Sequence, residues 1–189
     1  MAKNKPNVII AIPCQDSVKA RTAFSIAANI IHAKGLVSEI LMRQSCDVVS
    51  SRTGLVKDAI KSGATHLLFV DSDMFFPPDS LTTLLKHDKE IIGVKYRKRT
   101  FPTAWTHEPM GEEFLDKPFK ARFMGTGLML IKLDIFKKIP EPWFNFGRGK
   151  EGELVLGEDA WFVNTARDAG FDAWIDPTLK IGHIGNYIY

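Results

Sequence analysis

The sequence contains little that would stabilise the chain covalently or attach it to a membrane. Only two of its 189 residues are cysteines, Cys14 and Cys46, and they form no CxxC pair. Two such thiols predict no disulfide framework and favour a reducing compartment. No apolar run approaches the roughly 18 residues of a membrane helix, and the polar start shows no signal-peptide pattern. We therefore expect a cytoplasmic protein without an integral membrane segment.

The sequence also carries little excess charge. Its 25 Lys and Arg residues exceed its 22 Asp and Glu residues by a formal net charge of +3, which is too weak to indicate nucleic-acid binding by itself. RNP-type and helix-turn-helix patterns are absent, so we expect no nucleic-acid partner. A small positive charge does fit a protein that handles anionic ligands. Length and a 45% hydrophobic content predict one domain with its own core.

Apolar periodicity in the first half alternates between strands and helices. Short strands are predicted at residues 8–12, 36–42, 66–70 and 90–94, and the first and third of them are expected to be buried. Helical spacing is found between them at residues 17–34, 50–62 and 78–86, and it places Phe24, Ala27, Ala28 and Ile31 on one face of the first helix. This order predicts an α/β fold with a mostly parallel central sheet flanked by helices.

The second half has a different pattern. Residues 96–118 are rich in Pro, Arg, Lys and aromatic residues without a clear period, which is typical of a functional loop. The basic run Arg97-Lys98-Arg99 either binds phosphate or an anionic acceptor, or is a solvated loop. Residues 121–132 predict a pair of strands interrupted at Gly125-Thr126-Gly127, and residues 158–169 predict a helix.

Acidic residues follow two of the predicted strands. Asp16 follows the first strand, and Asp71-Ser72-Asp73 follows the third. In parallel sheets, ligands bind beyond the carboxyl ends of the strands, and Mg²⁺ or Mn²⁺ commonly takes one or two carboxylates together with phosphate oxygens. Two aspartates two positions apart therefore indicate a cation site, while an Asx-type turn is the structural alternative.

Two later features also contain residue types that are used in active sites. Glu158 and Asp159 begin a predicted helix, where acidic side chains either stabilise the helix end or act as a general base facing a cleft. His183 follows Gly182, and Gly185 lies two residues further on. Neutral imidazole is a good ligand for Mn²⁺, although a lone histidine is more often structural.

Taken in order, these motifs resemble those of the GT-A-fold glycosyltransferases, in particular the family-2-like, DxD-containing members. The resemblance covers nearly the whole chain and rests on Ile12-Pro13-Cys14, Ser51-Arg52, residues 63–73, Gly125-Thr126-Gly127, Glu158-Asp159 and His183. It implies a single Rossmann-like GT-A domain over residues 1–189, with a small antiparallel element in the second half. Residues 1–95 would form the nucleotide-binding half, and residues 96–189 the half for the acceptor and donor sugar.

The resemblance also implies a role for each matching residue. Asp73 would bind the metal directly, Asp71 would contact the metal or the ribose, and His183 would complete the metal site. Asp159, with Glu158 beside it, would be the base of an inverting reaction. The nucleotide-sugar site would comprise Pro13, Cys14, Asp16, Arg52, Asp71, Ser72, Gly125, Thr126 and Gly127.

The activity implied is that of a hexosyltransferase-like glycosyltransferase with Mn²⁺ or Mg²⁺ as cofactor. It would move a sugar from a nucleotide-diphosphate sugar to a hydroxyl of an acceptor, which could be a glycan, a lipid-linked molecule or a protein. Two alternatives stay open. A sugar-nucleotidyltransferase normally has a glycine-rich basic loop after its first strand, and residues 13–17 contain no glycine. The other alternative is a non-catalytic module that binds nucleotides or sugars.

Overall fold

The computed structural model of the chain describes residues 5–185. Its strands are β1 (Val8–Cys14), β2 (Val37–Gln44), β3 (His66–Val70), β4 (Met74–Phe75), β5 (Ile91–Val94), β6 (His107–Pro109), β7 (Phe119–Met124), β8 (Leu128–Lys132), β9 (Gly147–Arg148), β10 (Leu154–Leu156), β11 (Ala173–Asp176) and β12 (Gly182–His183). Its helices are α1 (Ala20–His32), α2 (Val48–Lys61), α3 (Ser80–Lys86) and α4 (Glu158–Asp168), with a 3₁₀ helix at Leu133–Lys137.

An eight-stranded sheet in the order β2-β1-β3-β8-β5-β11-β7-β6 forms the centre of the fold. Strands β2, β1, β3, β5, β11 and β6 run in one direction, and β8 and β7 run in the other. Small antiparallel pairs, β9 with β10 and β4 with β12, lie outside this sheet. The predicted α/β fold with a mostly parallel sheet and a small antiparallel element is thus confirmed.

Two hydrophobic cores cover the two faces of the sheet. Because successive side chains of a strand point to opposite faces, Ile9 of β1 packs in one core and Ile10 packs in the other. Helices α2 and α4 cover the first face, and α1 and α3 cover the second. A sheet buried on both faces needs apolar side chains at consecutive positions, which explains the continuous apolar runs in the sequence.

Helix α1 is oriented differently from the prediction. Phe24 is 76% exposed and Ile31 is 79% exposed, although apolar spacing placed both on one face with Ala27 and Ala28. The buried face instead contains Asn29, whose side-chain amide donates to the carbonyl oxygen of Pro77 at 2.8 Å and accepts from the Leu81 N–H at 2.9 Å. These hydrogen bonds connect α1 to the start of α3, and the same buried face of α1 also carries Thr22, Ser25 and Ile26.

The two strands predicted within residues 121–132 exist, but they do not pair with each other. β8 lies between β3 and β5, whereas β7 lies between β11 and β6. The region that reads as an irregular loop, residues 96–118, contributes β6 to the sheet edge. The predicted division into two functional halves at residue 95 stays a prediction. In the sheet, β8 from the second half lies between β3 and β5 from the first half.

Two features of the described residues bear on the expected environment of the protein. No helix within residues 5–185 is long and apolar enough to cross a membrane. Cys14 is buried, Cys46 is exposed, and both thiols are free.

Strand β11 ends at Asp176, a fully buried carboxylate. Its Oδ1 accepts from the N–H and the hydroxyl of Thr178, both at 2.6 Å, and its Oδ2 lies 2.7 Å from Nε2 of His87. Burial by itself raises the pKa of Asp176, but hydrogen bonds from Thr178 and His87 outweigh it and hold the pKa below its ordinary value. The carboxylate therefore anchors the segment that leads from β11 to β12.

We expect Asp176→Asn to lower the free energy of unfolding by about 1–3 kcal/mol at neutral pH, because charged hydrogen bonds inside the protein are lost. A carboxylate with a depressed folded pKa stabilises the fold above its unfolded pKa, near 3.8, and this contribution disappears as pH falls through the folded pKa. Urea unfolding should therefore show the difference between wild type and variant shrinking below about pH 4. A difference that stays constant under acid conditions would contradict this role.

Candidate functional site

A cleft of about 310 Å³ opens at the carboxyl ends of β1 and β3. Its walls come from the ends of these strands, the start of α2, the loop after β5 and strand β12. The predicted site residues that line it are Pro13, Cys14, Arg52, Asp71, Ser72, Asp73 and His183. The fold thus brings together residues from both ends of the chain at the edge of the sheet where ligands bind in parallel α/β folds.

The short antiparallel pair of β4 with β12 places His183 beside Asp73. Met74 pairs with His183, and the N–H of Ile184 donates to the carbonyl oxygen of Asp73 at 2.7 Å. A Cβ at Gly182 would overlap the ring of Phe75, so a larger residue there would have to displace this ring. As a result, Nε2 of His183 lies 3.3 Å from Oδ1 of Asp73.

A backbone carbonyl fixes the orientation of the His183 ring. Nδ1 of His183 lies 3.1 Å from the carbonyl oxygen of Arg97. Because a carbonyl oxygen can only accept, Nδ1 is the donor in this contact, and Nε2 faces Asp73. Histidines that bind metals are commonly held in this way by a partner on the other ring nitrogen.

The second oxygen of Asp73 pairs with a basic residue from the loop after β5. Oδ2 of Asp73 lies 2.9 Å from Nη1 of Arg99. Burial by itself raises the pKa of Asp73, but the hydrogen bond with His183 and the charge of Arg99 together hold the pKa below its ordinary value. Asp73 is therefore a carboxylate between two nitrogen groups at the mouth of the cleft.

Asp71 is held by a buried arginine. Nη2 of Arg52 lies 2.9 Å from Oδ1 of Asp71, and Nη1 pairs closely with Glu158. Burial tends to lower the pKa of Arg52, but the charges of Asp71 and Glu158 raise it above its ordinary value. Arg52 and Glu158, assigned to the nucleotide and to catalysis from the motifs, thus belong to one ion-pair network with Asp71 at the wall of the cleft.

The predicted three-residue metal site is not assembled in this arrangement. Within residues 5–185, no group of three or more His, Cys, Asp and Glu side chains could hold a metal ion. Asp71 faces Arg52, while Asp73 and His183 remain adjacent. These two side chains fit a Mg²⁺ or Mn²⁺ ion whose other ligands are phosphate oxygens and water, because such ions often bind few protein ligands.

Asp159 lines a neighbouring pocket of about 350 Å³ rather than the cleft itself. It lies in the first turn of α4, and its Oδ1 accepts from the N–H of Ala160 at 2.7 Å. Burial raises the pKa of Asp159, and the negative charge of Glu158 adds to the increase. A carboxylate with a raised pKa is a stronger base than an ordinary aspartate, so the position and the pKa both suit proton acceptance.

The segment Gly125-Thr126-Gly127 is not among the residues that line the cleft, and its predicted contact with the nucleotide sugar stays a prediction. Tyr96 fills the space beside it, and its hydroxyl accepts from the N–H of Gly127 at 2.9 Å. A Cβ on Gly125 would overlap this hydroxyl, and a Cβ on Gly127 would lie 2.6 Å from it. The carbonyl of Gly127 accepts from the N–H of Asp71 at 3.1 Å, so the segment supports Asp71 through the backbone.

Asp16 is also outside the cleft. It is exposed, and its carboxylate accepts from the hydroxyl of Ser17 at 3.1 Å. The preceding residue, Gln15, lines the cleft instead, as do Ser45, Ser51 and Arg99. Gln15 directly follows β1 and so belongs to the same polar strand end as Asp16. Ser45 directly follows β2, and no pattern in the sequence identifies it as a site residue.

Comparison with known proteins places the fold. No family model matches the chain, and no curated protein matches it. Among solved structures, A197 from STIV is similar, with a TM-score of 0.67 and 17% identity over 95% of this chain and 86% of that chain. S. aureus TarS has a TM-score of 0.54 and 15% identity over 94% of this chain and 60% of that chain. UDP-glucose pyrophosphorylase complexed with UDP-glucose has a TM-score of 0.51 and 12% identity over 93% of this chain and 74% of that chain.

These likenesses show a GT-A-like fold. All of these structures are less than 25% identical to the chain, so they show the fold alone.

The close contact between Tyr96 and Gly125 generates a stability prediction. We expect Gly125→Ala to lower the free energy of unfolding by about 1–3 kcal/mol, because overpacking strains the core. In a Tyr96→Phe background the same substitution should cost less, because the overlapping hydroxyl is absent. Urea unfolding of the four proteins of this double-mutant cycle measures the coupling. An equal cost of Gly125→Ala in both backgrounds would show that Tyr96 does not occupy this space.

Proposed function

We propose that the protein is a metal-dependent glycosyltransferase that moves a sugar from a nucleotide-diphosphate sugar to an acceptor hydroxyl. The observation that carries the proposal is the pairing of Asp73 with His183 in a cleft at the carboxyl ends of β1 and β3. In this proposal Asp71-Ser72-Asp73 serves as a family-2-like DxD motif. A cytoplasmic location stays a prediction alongside it.

The donor would bind with its nucleotide in the cleft and its diphosphate near Asp73. Asp73 and His183 would hold a Mg²⁺ or Mn²⁺ ion, which when bound would neutralise the charge that develops on the diphosphate leaving group. Asp71 would accept hydrogen bonds from the ribose, since Arg52 already fixes its position. Arg99 adds a positive charge beside the same diphosphate position.

Asp159 would act as the base. Its carboxylate would take the proton of the acceptor hydroxyl while the oxygen forms a bond to the anomeric carbon. The bond from that carbon to the diphosphate would break, and the nucleoside diphosphate would leave with the electron pair. A base opposite the leaving group inverts the anomeric centre. The raised pKa of Asp159 favours this assignment, because it makes the carboxylate a better proton acceptor.

A nucleotidyltransferase is the second candidate, since UDP-glucose pyrophosphorylase has a similar fold. Such enzymes must hold a triphosphate, and this usually needs a glycine-rich basic loop after the first strand. Here residues 13–17 contain neither glycine nor a basic residue. The pocket with Asp159 likewise favours an enzyme over a module that only binds sugars or nucleotides.

Ligand-dependent thermal stability tests the donor site. A panel of nucleoside diphosphates and nucleotide sugars, with and without Mn²⁺, should contain a ligand that raises Tm only when Mn²⁺ is present. Asp73→Asn should abolish this metal-dependent increase. Asp159→Asn should keep it and should lower kcat for transfer at least about a hundredfold, as expected for loss of a general base. Asp134→Asn, at an exposed position whose carboxylate pairs with Lys137, is a matched control that should change neither result.

Three outcomes would contradict the proposal. A panel without any metal-dependent stabilisation would exclude this donor site. Normal turnover in Asp159→Asn would exclude Asp159 as the base. Release of pyrophosphate from a nucleoside triphosphate and a sugar 1-phosphate, without sugar transfer from any donor, would identify the nucleotidyltransferase instead.

A further inference from the structure

A second groove, of about 690 Å³, adjoins the cleft between the loop after β5 and the segment that leads into β12. Arg99 and His183 border both the cleft and this groove. Lys98 borders both the groove and the pocket that contains Asp159. A molecule in the groove would therefore reach from the diphosphate position towards the proposed base, which is the path that an acceptor has to occupy.

The wall formed by residues 97–105 is held by the backbone. The N–H of Lys98 donates to the carbonyl oxygen of Ala104 at 2.7 Å, and the N–H of Thr106 donates to that of Tyr96 at 3.0 Å. Arg97 and Trp105 are joined by a β-bridge. The side chains on this wall thus extend from a closed backbone hairpin.

The groove concentrates positive charge. Its lining contains Lys95, Arg97, Lys98, Arg99 and Lys180, and no Asp or Glu is among the described residues that line it. The whole chain has a net charge of only +3, so these five cations are a local feature. Like charges in one concave surface raise the local concentration of anions.

Part of this charge is not neutralised within the protein. Lys95 pairs with Glu113 at 2.8 Å, and Arg99 pairs with Asp73. Lys98 and Lys180 are exposed and make no ion pair within residues 5–185. Arg97 lies over the ring of Trp105, 4.2 Å from its centroid. Three cations are therefore free to bind an anionic ligand along the groove.

We propose that the acceptor is anionic, a glycan or polyol that carries phosphate or carboxylate groups close to the hydroxyl that receives the sugar. This inference rests on the proposed function, because it takes the cleft as the donor site and Asp159 as the base. An anionic acceptor beside a diphosphate is repelled by it, and the cations of the groove offset that repulsion. Arg97, Lys98 and Lys180 bind the acceptor's anionic groups, while its hydroxyl extends towards Asp159.

Single-stranded nucleic acid fits the groove less well. Such ligands are usually bound by several aromatic side chains on which successive bases stack. The groove presents Phe101 and Trp105, and Arg97 covers a face of the Trp105 ring. The groove therefore offers charge along its length, but only one exposed ring that no cation covers, Phe101, among the described residues that line it.

Fluorescence anisotropy with labelled oligomers tests this assignment without a donor. The probes are a glycerol phosphate tetramer, tetragalacturonate, neutral maltotetraose and a single-stranded RNA of matched charge. We expect one or both of the first two probes to bind, and the double variant Lys98→Gln/Lys180→Gln to raise Kd about tenfold or more. The control Lys61→Gln/Lys86→Gln makes the same charge change at positions that line neither groove nor cleft, and it should change Kd less than about twofold.

The two anionic probes distinguish phosphate from carboxylate as the preferred group. The inference is overturned if maltotetraose binds as tightly as the anionic probes, if both double variants weaken binding equally, or if the RNA binds most tightly. If no nucleotide in the thermal-stability panel raises Tm in the presence of Mn²⁺, the donor site is disproved. The anisotropy measurement does not depend on that result. The reverse result, a metal-dependent nucleotide shift without any groove binding, would disprove only the anionic acceptor.

Discussion

Burial of the Arg52 guanidinium between Asp71 and Glu158 is the constraint on which the site depends. A buried charge is costly unless opposite charges and hydrogen bonds compensate it. The pairing forces the end of β3, helix α2 and the start of α4 to converge at one point. It therefore sets the position of Asp71 in the cleft and of Asp159, the neighbour of Glu158, in the adjoining pocket. Removing one partner would leave uncompensated charge at the junction of three elements.

A second, smaller connection completes the cleft. The pairing of β4 with β12 is short, but it brings His183 next to Asp73. Asp176 anchors the segment that leads from β11 to β12 and so holds β12 in this position. The carboxylate of Asp73 is paired with His183 and Arg99. A diphosphate and its cation would exchange these internal pairs for ligand contacts, so the same nitrogen groups would serve both states.

The cleft, the pocket that contains Asp159 and the groove differ in the charged groups that line them. The cleft combines aspartates with arginines, the pocket with Asp159 holds a carboxylate of raised pKa, and the groove between them is basic. Under the proposed function, joining two anionic substrates would require positive charge on both sides of the reacting centre and a carboxylate base beside it. The position of Lys98, between the groove and the Asp159 pocket, is where these requirements meet.

The order of elements, the buried strands and the acidic pair after β3 could be predicted from the sequence, because periodicity and strand-end chemistry are local properties. Local patterns could not show that α1 would bury Asn29 and expose Phe24, that Tyr96 would fill the space beside Gly125, or that Glu158 would serve Arg52. Each of these depends on contacts between residues far apart in the chain, whose energies depend on which groups share a buried environment. The residue types of the site were therefore determined by sequence, and their partners were decided only by tertiary structure.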